Sequence, residues 1–168
     1  KDKDGYVLIL YGDTPLITPK TLKDAIDFHK NNDCSATVIT AEVDDPTGYG
    51  RIIRDKNGDV LRIVEQKDAN PEEAAVKEIN SGMYCFTIKH LVKALKLLNN
   101  ENNQGEYYIT DTIGILVEMG HKVGALKLSD PREILGINDR VQLFEASEII
   151  KERILERHMR SGVTIIDP

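Results

Sequence analysis

The chain has 168 residues, 40% hydrophobic and 30% charged, with no tryptophan, a composition that supports one globular domain with a sizeable core. Its formal charge of −6 argues against nucleic-acid binding, which calls for a basic face. No apolar run approaches the roughly 18 residues of a membrane span, no stretch reads as a signal peptide, and Cys34 and Cys85 lie in apolar stretches without metal-ligand spacing, as reduced thiols in a cytoplasmic protein do.

In chain order, the apolar run from Tyr6 to Leu10 predicts a strand buried on both faces, as in parallel sheets. Tyr11-Gly12-Asp13-Thr14-Pro15 ends it and places a carboxylate outside the strand's carboxyl end, where open α/β sheets meet their ligands. From these residues alone, Asp13 either faces a metal or phosphate or only makes an Asx-turn. Thr18-Pro19 predicts an N-cap and first helical position, with Leu22, Ala25, Ile26 and Phe28 near one face through about His29. Cys34 to Val43 reads as a second strand. After the loop Asp44 to Gly50, Arg51–Asp55 and Val60–Glu65 predict a hairpin, whose Asn57-Gly58 pair suits a type I′ turn.

Pro71 to Ala75 reads as a short helix, and Ile79 to Phe86 as a strand interrupted by Ser81-Gly82. Helices follow at Leu91–Leu98 and Ile109–Met119, the second ending at Gly120. Val123 to Leu128 is a strand, and Asn138 or Asp139 caps a long helix to about Arg160. The alternation predicts an α/β fold with a mostly parallel sheet and an inserted β-hairpin.

Several stretches could carry chemistry. Gly48-Tyr49-Gly50 lets backbone approach a ligand closely, although a plain turn is the default reading of a lone Gly-x-Gly. Glu65 ends a hairpin strand. Asn80-Ser81-Gly82 breaks strand preference, which suggests a bulge or a ligand contact. Tyr107, Tyr108, Thr110 and Asp111 precede a helix and read as core residues or caps. His29, His90, His121 and His158 read as ordinary surface residues.

Taken together and in order, these motifs carry a resemblance. Tyr11-Gly12-Asp13, Asp45-Pro46-Thr47-Gly48-Tyr49-Gly50-Arg51, Val64-Glu65-x-Lys67-Asp68, Glu78-Ile79-Asn80-Ser81-Gly82, Gln104-Gly105-Glu106-Tyr107-Tyr108-Ile109-Thr110-Asp111 and Gly136-Ile137-Asn138-Asp139-Arg140 resemble the bacterial bifunctional enzymes that make UDP-N-acetylglucosamine. Those enzymes join an N-acetylglucosamine-1-phosphate uridyltransferase domain to a glucosamine-1-phosphate acetyltransferase domain and serve peptidoglycan and lipopolysaccharide synthesis. The resemblance implies a Rossmann-like nucleotide-diphospho-sugar transferase fold and a cytoplasmic, homotrimeric parent. It implies Mg²⁺ on Asp13 and Asn138, and UTP, N-acetylglucosamine 1-phosphate and UDP-N-acetylglucosamine as partners. Tyr11, Gly12, Gly50, Glu65 and Asn80 would contact the uridine diphospho-sugar, with Tyr108 and Thr110 near the sugar.

The sequence departs from that family at the front: the Gly-rich loop and the uracil-reading residues do not occur in it. Both ends therefore read as cuts. Residues 1–137 are expected to be the sugar side of the uridyltransferase domain, 138–161 a connecting helix, and 162–168 the threshold of a β-helix domain. This piece is expected to be inactive alone. Two rivals stay open: another sugar-1-phosphate nucleotidyltransferase of the same fold, and a non-catalytic sugar-nucleotide-binding module.

Overall fold

A computed structural model describes residues 4–167. Its elements are β1 (Tyr6–Ile9), α1 (Pro19–Asn31), β2 (Ala36–Glu42), β3 (Arg51–Arg54), β4 (Val60–Val64), α2 (Pro71–Ala74), β5 (Glu78–Thr87), α3 (Ile88–Leu95), α4 (Asp111–Glu118), β6 (Val123–Lys127), a 3-10 turn (Pro131–Ile134) and α5 (Arg140–Arg160). Sequence had predicted all of these except the 3-10 turn. Thr18 caps α1 by accepting from the Thr21 backbone N–H, with Pro19 as the first helical residue. Asn70 and Glu73 close a capping box on α2, and Asp139 caps α5 by accepting from the N–H groups of Val141 and Gln142.

The strands form one sheet in the order β4-β3-β5-β2-β6, with β1 also pairing β5. The α/β class holds, but the expected dominance of parallel pairing gives way to a mixed sheet. Only β2 and β6 run parallel, while β5 is antiparallel to β1, β2 and β3. Alternating strand and helix patterns do not encode strand direction, because a crossover can return the chain either way. The expected burial of the first strand on both faces is corrected too: Val7, Leu8 and Ile9 are half-buried and Tyr6 is exposed.

Side-chain alternation along the central strands divides the core between the two faces of the sheet. Ala36, Val38, Tyr84 and Phe86 pack with Leu91, Ala94, Ile113 and Leu116 of α3 and α4. Ile39, Ala41, Ile79 and Met83 pack on the other face with Ala25 of α1 and Ile134 of the 3-10 turn. Among the described residues no helix is long and apolar enough to cross a membrane.

One local expectation changes. The hairpin turn is not type I′, because Gly58 has φ +87° while Asn57 keeps a negative φ. Instead the Gly58 N–H donates to the Asp55 carbonyl (3.0 Å), and the Asp55 carboxylate accepts from the backbone of Asn57 and Asp59. That is a type I turn followed by a left-handed glycine, with a register shift between Ile53 and Arg54. The cysteines are buried free thiols, and burial pushes Cys85 up to about 11.

Candidate functional site

The rule-break at Asn80-Ser81-Gly82 is a bulge. Along β2, Val38 faces Tyr84 and Thr40 faces Asn80, so two steps on β2 oppose four on β5. The extra residues are held in place: the Ser81 hydroxyl donates to the Ile39 carbonyl (2.6 Å) and accepts from the Met83 N–H (3.1 Å). Gly82 takes φ +75°, and a β-carbon there would stand 1.9 Å from the Tyr11 ring. Glycine thus lets Tyr11 lie against the bulge.

Around it the structure gathers a cavity of about 340 Å³ lined by Tyr11, Asp13, Gly50, Glu65, Asn80 and Asn138, among others. Gly50 is its tight point. A β-carbon at Gly50 would stand 3.1 Å from Ile63, 3.4 Å from Glu65 Oε2 and 3.5 Å from Asn80 Cβ. The Gly50 carbonyl also accepts from the Asn80 N–H (2.9 Å). Glu65 is steadied by Thr110, whose hydroxyl donates to Oε1 at 3.0 Å. Burial raises the Tyr11 phenol above its ordinary pKa, with the carboxylates of Glu65 and Asp13 adding to it.

Asp13 and Asn138 meet from opposite ends of the chain. The Ile137 N–H donates to the Asp13 carbonyl (2.9 Å), and the Asn138 N–H donates to Gln142 Oε1 in the first turn of α5 (2.6 Å). A β-carbon at Gly136 would stand 3.9 Å from both Asp13 Oδ2 and the Asn138 carboxamide nitrogen. Gly136 thus lies beside both side chains. The expected turn at Asp13 is closed by its neighbour, the Thr14 hydroxyl donating to the Tyr11 carbonyl (2.9 Å). The Asp13 carboxylate has no hydrogen-bond partner among the described residues, which leaves it free. A carboxylate and a carboxamide are hard oxygen donors, and Mg²⁺ uses one or two such side chains while keeping water and substrate phosphate for its other positions. The pair fits that ion. Among the described residues no cluster of three or more His, Cys, Asp or Glu side chains forms a dedicated metal cage.

The remaining candidates lie elsewhere. Gly12 does not line the cavity. Tyr108 and Thr110 line a neighbouring one of about 560 Å³ that shares Glu65 as its wall, and the Tyr108 hydroxyl accepts from Gln104 (2.7 Å). Sequence reading passed over Gln142 and the full burial of Arg51. The Arg51 side chain is 1% exposed and donates to the carbonyls of Tyr49 and Ala74 and to Gln66 Oε1, which also accepts from Gly48. Burial lowers its pKa. The reading of all four histidines as surface residues is also corrected, because His29 is 1% exposed.

Comparison with known proteins adds three findings. The family described as "Nucleotidyl transferase" matches residues 1–131. The bifunctional protein GlmU of Acetivibrio thermocellus is 64% identical over 168 residues, covering 100% of this chain and 36% of that protein. GlmU of Clostridium novyi is 59% identical (99% and 36% covered), and that of Brevibacillus brevis 52% (100% and 36%). The chain spans about a third of the length of these curated relatives. Among solved structures, a protein described as a glucose-1-phosphate thymidylyltransferase from Bacillus anthracis, in complex with a sucrose, superposes with a TM-score of 0.63 at 21% identity. The match covers 88% of this chain and 55% of that one, a likeness of fold.

Proposed function

The chain belongs to the nucleotidyl transferase family, and from that premise we propose that it is the sugar side of a uridyltransferase making UDP-N-acetylglucosamine. In that reaction a phosphate oxygen of N-acetylglucosamine 1-phosphate attacks the α-phosphorus of UTP. A P–O bond forms there as the bond to the departing pyrophosphate breaks. The observation that carries the reading is the convergence of Asp13, Asn138, Glu65, Asn80 and Gly50 on one cavity.

Catalysis of this kind is positioning plus charge stabilisation. Asp13 and Asn138 would hold Mg²⁺, which when bound offsets phosphate charge. Glu65, steadied by Thr110, would accept hydrogen bonds from sugar hydroxyls, and Asn80 would both donate and accept. Tyr11, against Gly82, would close one side of the pocket. Among the described residues the cavity lining holds two carboxylates, Asp13 and Glu65, and no lysine or arginine, so a phosphate entering it needs a cation. The parent's cytoplasmic location, its acetyltransferase activity and its trimeric assembly belong to the same proposal and rest on the family resemblance of the motifs.

Calorimetric titration of the chain with UDP-N-acetylglucosamine, with and without Mg²⁺, tests the reading. Mg²⁺ is expected to tighten binding at least tenfold, and Asp13→Ala to abolish that dependence while leaving the thermal unfolding midpoint unchanged. Binding indifferent to Mg²⁺, or no binding, overturns it.

A further inference from the structure

Asn80 and Tyr84 are four residues apart on one strand, a separation that in regular β structure puts their α-carbons about 13 Å from each other. In this fold the Asn80 carboxamide nitrogen donates to the Tyr84 hydroxyl at 2.8 Å. The bulge makes that possible. By taking two residues out of the ladder, it turns a four-residue separation into the spacing of same-face neighbours two apart, about 7 Å.

The resulting network leaves no freedom in the carboxamide. The Gly82 N–H donates to Asn80 Oδ1 at 3.1 Å. A backbone N–H can only donate, so Oδ1 is the atom facing it, and Nδ2 necessarily faces Tyr84. The Asn80 backbone is fixed as well, through its N–H to Gly50. After these bonds the side chain retains one lone pair on Oδ1 and one hydrogen on Nδ2, and it lines the cavity. Tyr84 is fully buried. Burial raises its pKa, Tyr11 and Glu65 adding to the effect and the Asn80 hydrogen bond opposing it, so its oxygen remains a neutral hydroxyl able to accept.

We propose that Tyr84 is a positioning residue: the Gly82 N–H sets which way round the Asn80 carboxamide sits, and Tyr84, brought near by the bulge, holds it there for the sugar. Asn80 thereby offers one donor and one acceptor at set positions, matching a sugar substituent pair of the opposite order. A freely flipping amide would satisfy the reversed pair as well and discriminate poorly. This rests on the sugar-binding reading of the cavity.

The test titrates N-acetylglucosamine 1-phosphate into the chain and three variants, Tyr84→Phe, Asn80→Ala and the double variant, following binding by NMR. Tyr84→Phe keeps the ring and removes only the hydroxyl, and is expected to weaken binding about three- to tenfold, the worth of one neutral hydrogen bond. Asn80→Ala weakens it at least as much. In the Asn80→Ala background, Tyr84→Phe should change nothing further, because its effect runs through Asn80. Equal weakening by Tyr84→Phe in both backgrounds reveals a merely structural role and overturns the proposal, as does no effect in either. If the wild-type chain does not bind the sugar phosphate, the underlying reading falls and takes this one with it. A measurement on the wild-type chain covers the case in which Tyr84→Phe does not fold. One Asn80 carboxamide proton should exchange with solvent at least tenfold more slowly than those of exposed Asn57, and equal rates overturn the proposal.

Discussion

His29 shows how a single buried group carries a pH dependence. The Thr87 hydroxyl donates to the Cys34 carbonyl (3.0 Å), so toward His29 it accepts, from Nε2–H at 3.1 Å. Nδ1 is then the acceptor for the Thr37 hydroxyl at 2.9 Å. The ring is thus held neutral, and burial lowers its pKa, with Asp33 opposing weakly. The unfolded chain takes up this proton more readily than the folded one. The stability His29 contributes is therefore present above about pH 6.5 and is lost as pH falls through its lower folded pKa. Urea unfolding at pH 7.5 and 5 should show a loss on acidification that His29→Gln reduces. Gly82 makes a sharper residue-level case. Gly82→Ala adds left-handed strain of about 1 kcal/mol and drives the Tyr11 ring from the bulge. The expected outcome is a lower unfolding midpoint and changed Tyr11 resonances, whereas Gly48→Ala, with open space around its β-carbon, carries the strain alone and leaves Tyr11 unchanged.

Between elements, Arg51 ties the Gly48–Gly50 loop to β4 and α2. Its guanidinium spans the Tyr49 and Ala74 carbonyls and Gln66, and Gln66 in turn holds the Gly48 N–H. Arg51→Met would leave those acceptors unpaired, at an expected cost of about 2–3 kcal/mol in urea unfolding, with faster amide exchange at Gly48. Arg51→Lys should recover only part, because one ammonium cannot reproduce the planar fork. The long helix α5 bears on the site in the same way. Its first turn holds Asn138 through Gln142, and its Arg153 donates to the Leu16 carbonyl (2.6 Å), three residues beyond Asp13. The helix thus braces both proposed metal donors. Asp139→Ala removes its N-cap and is expected to destabilise the chain by about 1 kcal/mol and to weaken the Mg²⁺ enhancement of UDP-N-acetylglucosamine binding.

For the 168 residues as a whole, the expected result is binding without efficient turnover. UTP brings close to four negative charges, of which one Mg²⁺ offsets about half. Among the described residues the cavity lining adds two carboxylates and no basic side chain, nor does the sequence contain a Gly-rich loop after a strand to cradle phosphate on backbone N–H groups. A pyrophosphate-release assay on this chain should therefore give a rate at least a thousandfold below that of the Acetivibrio thermocellus relative. Mg²⁺-dependent turnover within about tenfold, lost on Asp13→Ala, would show that these residues suffice for catalysis.

Local chemistry made much of this protein legible in its sequence. Caps at Thr18, Asn70 and Asp139 satisfy helix N–H groups with neighbouring side chains, so helix starts can be read from a few residues. The motifs at Asp13, Gly50, Glu65, Asn80 and Asn138, each of which breaks a local preference or matches a family pattern, converge on one cavity. Strand direction and the burial of His29 and Arg51 were decided only by the tertiary structure. These depend on which elements pack together, and residues far apart in the chain make that choice. The pairing of Asn80 with Tyr84 is the clearest instance. Strand geometry in isolation holds them about 13 Å apart, and only the register of β5 against β2 brings them into one hydrogen bond.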